Sequence, residues 1–483
     1  MVMPGARAAD SEAVPVGLRK QLFVDDYVIA RMRGLRRVAH SPRRYPENPI
    51  VRGERPWERG VLHPLAVARD PATGAFHMYY RATSAPPGHE GRESLCYARS
   101  RDGIHWERPD LNLVPLSAQE GGIPNNLLPL GRTPIAVYLR PDEPDPARRF
   151  LGFFSADRGM GASICYSSDG LRWTKVSDSG DLRSAPRTPP NPEARYFFTS
   201  QCWAGRNAWG AGRRGVMRAD SDDLEHWAGN LTLFAAGPDD PGNLEFYTMS
   251  VADMRTAHTY HGLHLGFLHC FHTDLNGKRN PANNVAMSGT IDVYLAASRD
   301  TVAWQWVDRD QPFLPLGPEG AFDSGMVFLC SMVEDRDRLL FYYDGWNVEH
   351  GQLVGTPTRE GHAAIGLATL RLDGFVSVEP NRDQGTVTTK PFLLEGEALE
   401  VNADAAKGRL VVAVLAGDGT PIPGLAARDC RPITADGLRQ RAAWGAAAKL
   451  AMLKGEMVRL RFYLSGGSRL YAFQVVPAEP AAG

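Results

Sequence analysis

The chain has no apolar run of the roughly 18 residues that a membrane-crossing helix requires. It has no excess of charge either, with 54 basic residues against 55 acidic ones and a formal net charge of −1. A near-neutral surface provides no field to steer a polyanion or to hold a membrane, so neither nucleic acid nor membrane is an expected partner. The cysteines are few and single. Cys96, Cys165, Cys202, Cys270, Cys330 and Cys430 form no Cys-x-x-Cys pair, and most stand in apolar, strand-like runs, which predicts free thiols rather than a disulfide framework. The first residues, MVMPGARAADSEAVPVG, lack the apolar centre of an export signal, so the sequence as written reads as cytoplasmic, with export left open if a leader has been removed.

Helix signals are also scarce in the chain before Asn381. In their place, short β-branched and aromatic runs are punctuated by glycine and proline, of which the whole chain has 49 and 36, as in all-β chains. One pattern recurs there. Ser100–Trp106 (SRDGIHW), Ser167–Trp173 (SSDGLRW), Ser221–Trp227 (SDDLEHW) and Ser298–Trp304 (SRDTVAW) keep Ser, Asp and Trp in register, and Leu370–Phe375 (LRLDGF) is an eroded fifth copy. Each copy follows an apolar strand, so it reads as a tight turn whose aspartate caps backbone N–H groups. A long-period repeat of this kind means a radial or solenoid architecture. Five copies predict five blades.

The expected fold is therefore all-β: a segment 1–20 without order, a five-bladed β-propeller over 21–380, and a β-sandwich over 381–483, where the repeat stops and alternating strands continue. The run Leu22–Ala30 is expected on the propeller rim, with Asp25 and Asp26 making a turn. Blade three is the least marked, its inner strand falling in the proline-rich stretch 178–192.

In such a blade the first strand starts at the mouth of the central channel, the second returns to it and the third leaves it. Polar residues at those points converge. In blade one they are Glu58, Arg59, His63 and Arg81. In blade four they are Glu245, His269, His272 and Asp292. In blade five they are Asp323, Tyr343, Asp344, Trp346 and, in the loop beyond, His350. Glu245 stands among Leu244, Phe246 and Tyr247, where desolvation would raise a carboxyl toward the range of a general acid; the alternative is a buried glutamate paired with an arginine. Asp323, between glycines and beside Ser324, is expected to stay ionised as base or nucleophile, the alternative being a strand-start turn. Unlike carboxyls in a pair are what glycosidic hydrolysis requires. His63 is expected to bind a sugar hydroxyl or act as a base. No cofactor is expected. A divalent cation is the less favoured alternative, because the run from His258 to His272 lacks ligands from several strands.

With these features the chain resembles the five-bladed propeller glycosidases, the superfamily of the invertase/levanase-type and arabinanase-type enzymes. The resemblance rests on the Ser-x-Asp-Gly-x-x-Trp repeats, the blade openings at His63, Glu245 and Asp323, and the all-β tail. It implies a carbohydrate substrate and a glycoside hydrolase acting on an oligo- or polysaccharide, with furanosides among the candidates. There are departures. Leu62-His63-Pro64 stands where the invertase type has Asn-Asp-Pro, Arg69-Asp70-Pro71 falls at the far end of a hairpin, and Glu245-Phe246 keeps only the glutamate of a Glu-Cys motif. The missing first aspartate and the surplus of histidines favour one alternative, a polysaccharide lyase acting on a uronate-containing glycan; a carbohydrate-binding propeller without catalysis is the other. Oligomeric state, linkage and stereochemical course are not legible.

Overall fold

The repeat turns show how the sequence builds the first unit. In the computed structural model, which describes residues 12–83, 93–116, 124–129, 134–155, 162–178, 191–207, 210–250, 259–352, 361–445 and 450–478, each turn is made the same way. The Asp102 Oδ1 accepts from the backbone N–H of Ile104 and His105, while the Ser100 hydroxyl oxygen accepts from Gly103 N–H. Asp169, Asp223 and Asp300 do the same. The residue after each aspartate is left-handed, with φ of 74° at Gly103 and 72° at Gly170, but also 74° at Leu224 and 64° at Thr301. Side chains there carry about 1 kcal/mol of backbone strain, which the capped turn absorbs. The tryptophan that follows pegs neighbouring blades: Trp106 meets Tyr342 edge-on at 5.9 Å, and Trp173 meets Tyr79 at 6.3 Å.

These turns punctuate five antiparallel blades within residues 42–369, of which the last two are joined by one parallel bridge between Ile291 and Met326. Blade one contains Leu62–Arg69, Phe76–Ala82 and Ser94–Ser100. Blade two contains Pro134–Leu139, Phe150–Ser155, Ala162–Ser167 and Thr174–Asp178. Blade three shows Tyr196–Arg206, Gly212–Ser221 and Ala228–Phe234; by the repeat these are its second to fourth strands, and most of the stretch expected to hold its inner strand lies outside the described residues. Blade four contains Leu244–Ser250, Leu263–Thr273, Gly289–Ser298 and Trp304–Trp306. Blade five contains Met326–Asp335, Arg338–Trp346 and Ala363–Arg371. Its fourth strand is Arg43–Arg44, which precedes blade one in sequence and pairs with Thr369 and Ala368. The ring is thereby closed by hydrogen bonds between its two ends, which covers the sheet edge at the join.

The inner strands share an irregularity. Register shifts lie between Pro64 and Ala66, Pro134 and Ala136, Phe246 and Thr248, and Leu329 and Ser331. Each is a bulge that turns one extra residue out of the alternation.

The second unit joins residues through 41 to 370–483. One sheet is ordered Asp436–Arg441, Ala398–Asp404, Arg469–Val476, Val376–Pro380, Leu35–Ala39, with Gln21–Leu22 also on Arg469–Val476. The other is ordered Ile29–Arg33, Gln384–Thr389, Met457–Gly466, Phe392–Leu393, with Gly408–Ala416 also on Met457–Gly466. A single core of Phe23, Val28, Val412, Phe462 and Phe473 fills the space between them. This is a sandwich, and it corrects the boundary drawn from sequence: the run Leu22–Ala30 belongs to it and not to the propeller rim. The physical reason is that Phe23 and Val28 are completely buried, which a rim turn could not achieve but a two-sheet core can. Residues 1–11 of the segment expected to lack order lie outside the described residues; within the remainder, Val16 is buried and Lys20 pairs with Asp373 at 2.9 Å. The six cysteines are free thiols.

Candidate functional site

A cavity of about 1090 Å³ is lined by residues of all five blades. The four bulged residues Leu65, Ile135, Tyr247 and Cys330 all face it. Of the residues singled out from sequence, His63, Arg81, His269, Asp344, Trp346 and His350 line it.

His63 begins the inner strand of blade one, and Asp344 ends the second strand of blade five. Their contact, His63 Nδ1 to Asp344 Oδ2, is 2.7 Å. The Asp344 carboxylate is 1 % exposed and also accepts from Trp346 Nε1 at 2.9 Å and from the Cys330 thiol at 3.5 Å. Burial pushes this carboxyl upward, but the adjacent His63 and these hydrogen bonds outweigh it and hold it below the usual carboxylate range. An ionised Asp344 can only accept, so Nδ1–H of the ring donates to it. Nε2 is then left without a protein partner among the described residues, in a side chain that is 19 % exposed.

His350 Nδ1 reaches the Met287 carbonyl and its Nε2 lies 3.1 Å from the Tyr247 hydroxyl. Only Nδ1–H can donate to a carbonyl, so Nε2 accepts from the phenol. Burial lowers the His350 pKa and raises that of Tyr247, which keeps both neutral. Tyr247, Phe328 and Trp346 supply the aromatic faces. Glu349, half-buried in the loop before His350, adds a carboxylate to the same lining.

His269 lines the cavity but is fully engaged. Its Nε2 accepts from Leu329 N–H at 3.1 Å, so Nδ1–H donates to the Thr248 hydroxyl at 2.7 Å. Burial depresses its pKa from 6.5 to about 4. Between those values the unfolded chain binds a proton that the folded chain refuses. The contribution is intact above pH 6.5 and is lost as pH falls toward 4, by about 3 kcal/mol. Urea unfolding of the wild type and of His269→Asn should therefore show a stability difference that narrows by about this amount between pH 7 and pH 4; a difference independent of pH would refute the assignment.

The other expected site residues do not line the cavity. Glu245 is completely buried and bound by Arg214 Nη1 at 2.7 Å. Asp323, 1 % exposed, is held by Arg44 Nε at 2.6 Å and accepts from the Tyr343 hydroxyl at 2.9 Å. Each of these buried carboxylates has an arginine counter-ion, as a charge shielded from water requires; for Glu245 this matches the arginine-paired alternative, and Asp323 lies in the turn before Met326–Asp335, as the strand-start alternative has it. Glu58 accepts from Tyr80 at 2.5 Å and lies 3.2 Å from Arg108 Nε. Arg59 is exposed at the end of a short 3₁₀ turn. His272 Nε2 meets Asp292 Oδ1 at 2.7 Å, a contact that raises the histidine pKa. The residues that sequence reasoning missed, Tyr247, Cys330 and Glu349, were hidden by the bulges and by a loop.

Among the described residues no three His, Cys, Asp or Glu side chains are grouped as metal ligands. No family model matches the chain, and no curated protein does. Solved structures to which it is similar include a glycoside hydrolase (13 % identity, TM-score 0.41, covering 68 % of this chain and 92 % of that one). A glycosyl hydrolase from Bacteroides ovatus is 15 % identical at TM-score 0.38, over 68 % and 94 %. The β-1,2-mannobiose phosphorylase from Listeria innocua is 14 % identical at TM-score 0.37, over 68 % and 96 %.

Proposed function

We propose that this protein cleaves a glycosidic bond in an oligo- or polysaccharide, with His63 as the proton-transfer group and Asp344 as the residue that orients it. The observation that carries the reading is the 2.7 Å His63–Asp344 contact at the wall of the cavity, with Nε2 unpartnered among the described residues. A protonated Nε2 gives its proton to the leaving oxygen as the C1–O bond breaks. Water then bonds to C1, and Glu349, one of the carboxylates on the same lining, accepts the proton that water loses. Trp346 and Tyr247 offer flat faces to the apolar side of a sugar ring. In this assignment Glu245 and Asp323 hold the scaffold and the proton chemistry belongs to imidazole.

A second reading is favoured by one observation: neither of the two carboxyls expected to form a hydrolytic pair lines the cavity. Neutral His63 would then remove the proton alpha to a uronate carboxylate, and the bond to the leaving oxygen would break by elimination. One experiment separates these readings. A glycan panel is incubated with wild type and His63→Ala and read for new reducing ends and for the ultraviolet absorbance of unsaturated sugars. Reducing ends without absorbance are expected for hydrolysis, and both together for elimination. Binding with no product would leave only a carbohydrate-binding propeller.

A further inference from the structure

We propose that the mouth of this cavity takes a negatively charged sugar, a uronosyl unit whose carboxylate is received by Arg81. The inference deepens the reading of glycosidic cleavage and rests on it. Arg81, at the end of the second strand of blade one, is the direct cross-strand partner of His63, so the two side chains project from the same face of the sheet at neighbouring positions. Both line the cavity. The Arg81 Nε is buried and has no hydrogen-bond partner among the described residues.

Buried arginine nitrogens without a hydrogen bond also occur in Arg37, Arg108, Arg140 and Arg371, but each of those guanidiniums has a closer carboxylate, from Asp26, Glu54, Glu143 and Asp436. Arg44, Arg214 and Arg218 are held by Asp323, Glu245 and Asp220 at 2.6, 2.7 and 2.5 Å. Arg81 has only Glu93 among the described residues, whose nearest oxygen is 3.5 Å from Nη1, beyond the range of a charge-assisted hydrogen bond, and which is 32 % exposed. Asp344 does not neutralise it either, because its oxygens are taken by His63, Trp346 and Cys330. Cys330 stays an uncharged thiol, its pKa pushed up by burial and by Asp344. A partly exposed guanidinium whose donors are not used up by a close carboxylate, beside the proton-transfer group, is the complement of a planar carboxylate, which it can grip through two parallel N–H donors. A hydroxyl on a neutral hexose could accept one N–H but would not match the fork.

The test is calorimetric titration with trimers of galacturonate, glucuronate and mannuronate, each beside its carboxyl-reduced neutral counterpart and a sulfated neutral trimer. At least one uronate trimer is expected to bind at least thirtyfold more tightly than its reduced form, and the gap should shrink in high salt. Arg81→Gln should abolish the preference, while Arg81→Lys, which keeps the charge without the fork, should retain part of it. Thermal melts check that both variants fold, and if Arg81→Gln does not, a reduced but not abolished preference in Arg81→Lys is the deciding result. Equal binding of charged and neutral trimers, preference for the sulfated trimer alone, or an unchanged preference in the arginine variants overturns the inference. If neutral trimers are nevertheless cleaved, glycosidic cleavage stands and only the carboxylate falls; if no trimer is bound or cleaved, both fall.

Discussion

Asp344→Asn is expected to lower kcat by about a thousandfold or more, with the protein still folded. The carboxylate touches His63 Nδ1, Trp346 Nε1 and the Cys330 thiol. An amide can still accept from one or two of these donors, so packing survives. What disappears is the buried negative charge that orients the ring through Nδ1–H and that stabilises the imidazolium from which the proton is given. A thousandfold loss corresponds to roughly 4 kcal/mol of transition-state stabilisation. His63→Ala should lose at least as much. The double variant should lose no more than His63→Ala alone, because an orienting residue has nothing to orient once the imidazole is gone. The measurement is kcat on whichever glycan the panel identifies, with near-ultraviolet circular dichroism as the check on folding. Activity within tenfold of wild type in folded Asp344→Asn would remove the dyad from the mechanism.

The fold was legible because its signals are local. A serine, an aspartate and a tryptophan at fixed spacing make a capped turn wherever they occur, and the strand before each turn announces itself by composition. The stretch through Ala39 is misplaced by such a reading for the opposite reason. Its strands Ile29–Arg33 and Leu35–Ala39 pair with Gln384–Thr389 and Val376–Pro380, and pairing between segments so far apart in the chain leaves no mark in either one alone. The site was half legible. Blade position located His63, Arg81, His269, Asp344, Trp346 and His350 on the cavity, since strand ends meet the channel whatever the register. Alternation along the inner strands could not be used. A bulge in each described inner strand reverses parity past it, which brings Tyr247 to the cavity two residues from Glu245, which does not line it. An apolar neighbourhood drew attention to Glu245, yet such surroundings describe an acid raised for catalysis and a carboxylate locked to arginine equally well. Only the partner decides, and Arg214 lies 31 positions away.

Glu245→Ala is accordingly expected to act on stability far more than on chemistry. The carboxylate is completely buried, and Arg214, whose side chain is 9 % exposed, is its counter-ion. The Arg214 guanidinium also lies 5.1 Å from the Phe271 ring and 5.6 Å from those of Tyr247 and Trp203. These aromatic faces attract a cation, but they do not replace an anion in direct hydrogen-bonded contact, so removing Glu245 leaves a charge in a desolvated setting. Breaking a buried pair in this way destabilises by about 3 to 5 kcal/mol. The pair is not ideal, since Glu245 Oε1 is buried with no hydrogen bond among the described residues. Replacing both partners by apolar residues of similar size, Glu245→Leu with Arg214→Met, should therefore recover most of the loss. Urea denaturation of the wild type and of the two variants measures this directly. In folded Glu245→Ala, kcat should fall by less than tenfold, where loss of a general acid would lower it by about 10² to 10⁴; a collapse of kcat with unchanged unfolding free energy would return the proton chemistry to Glu245 and take it from His63.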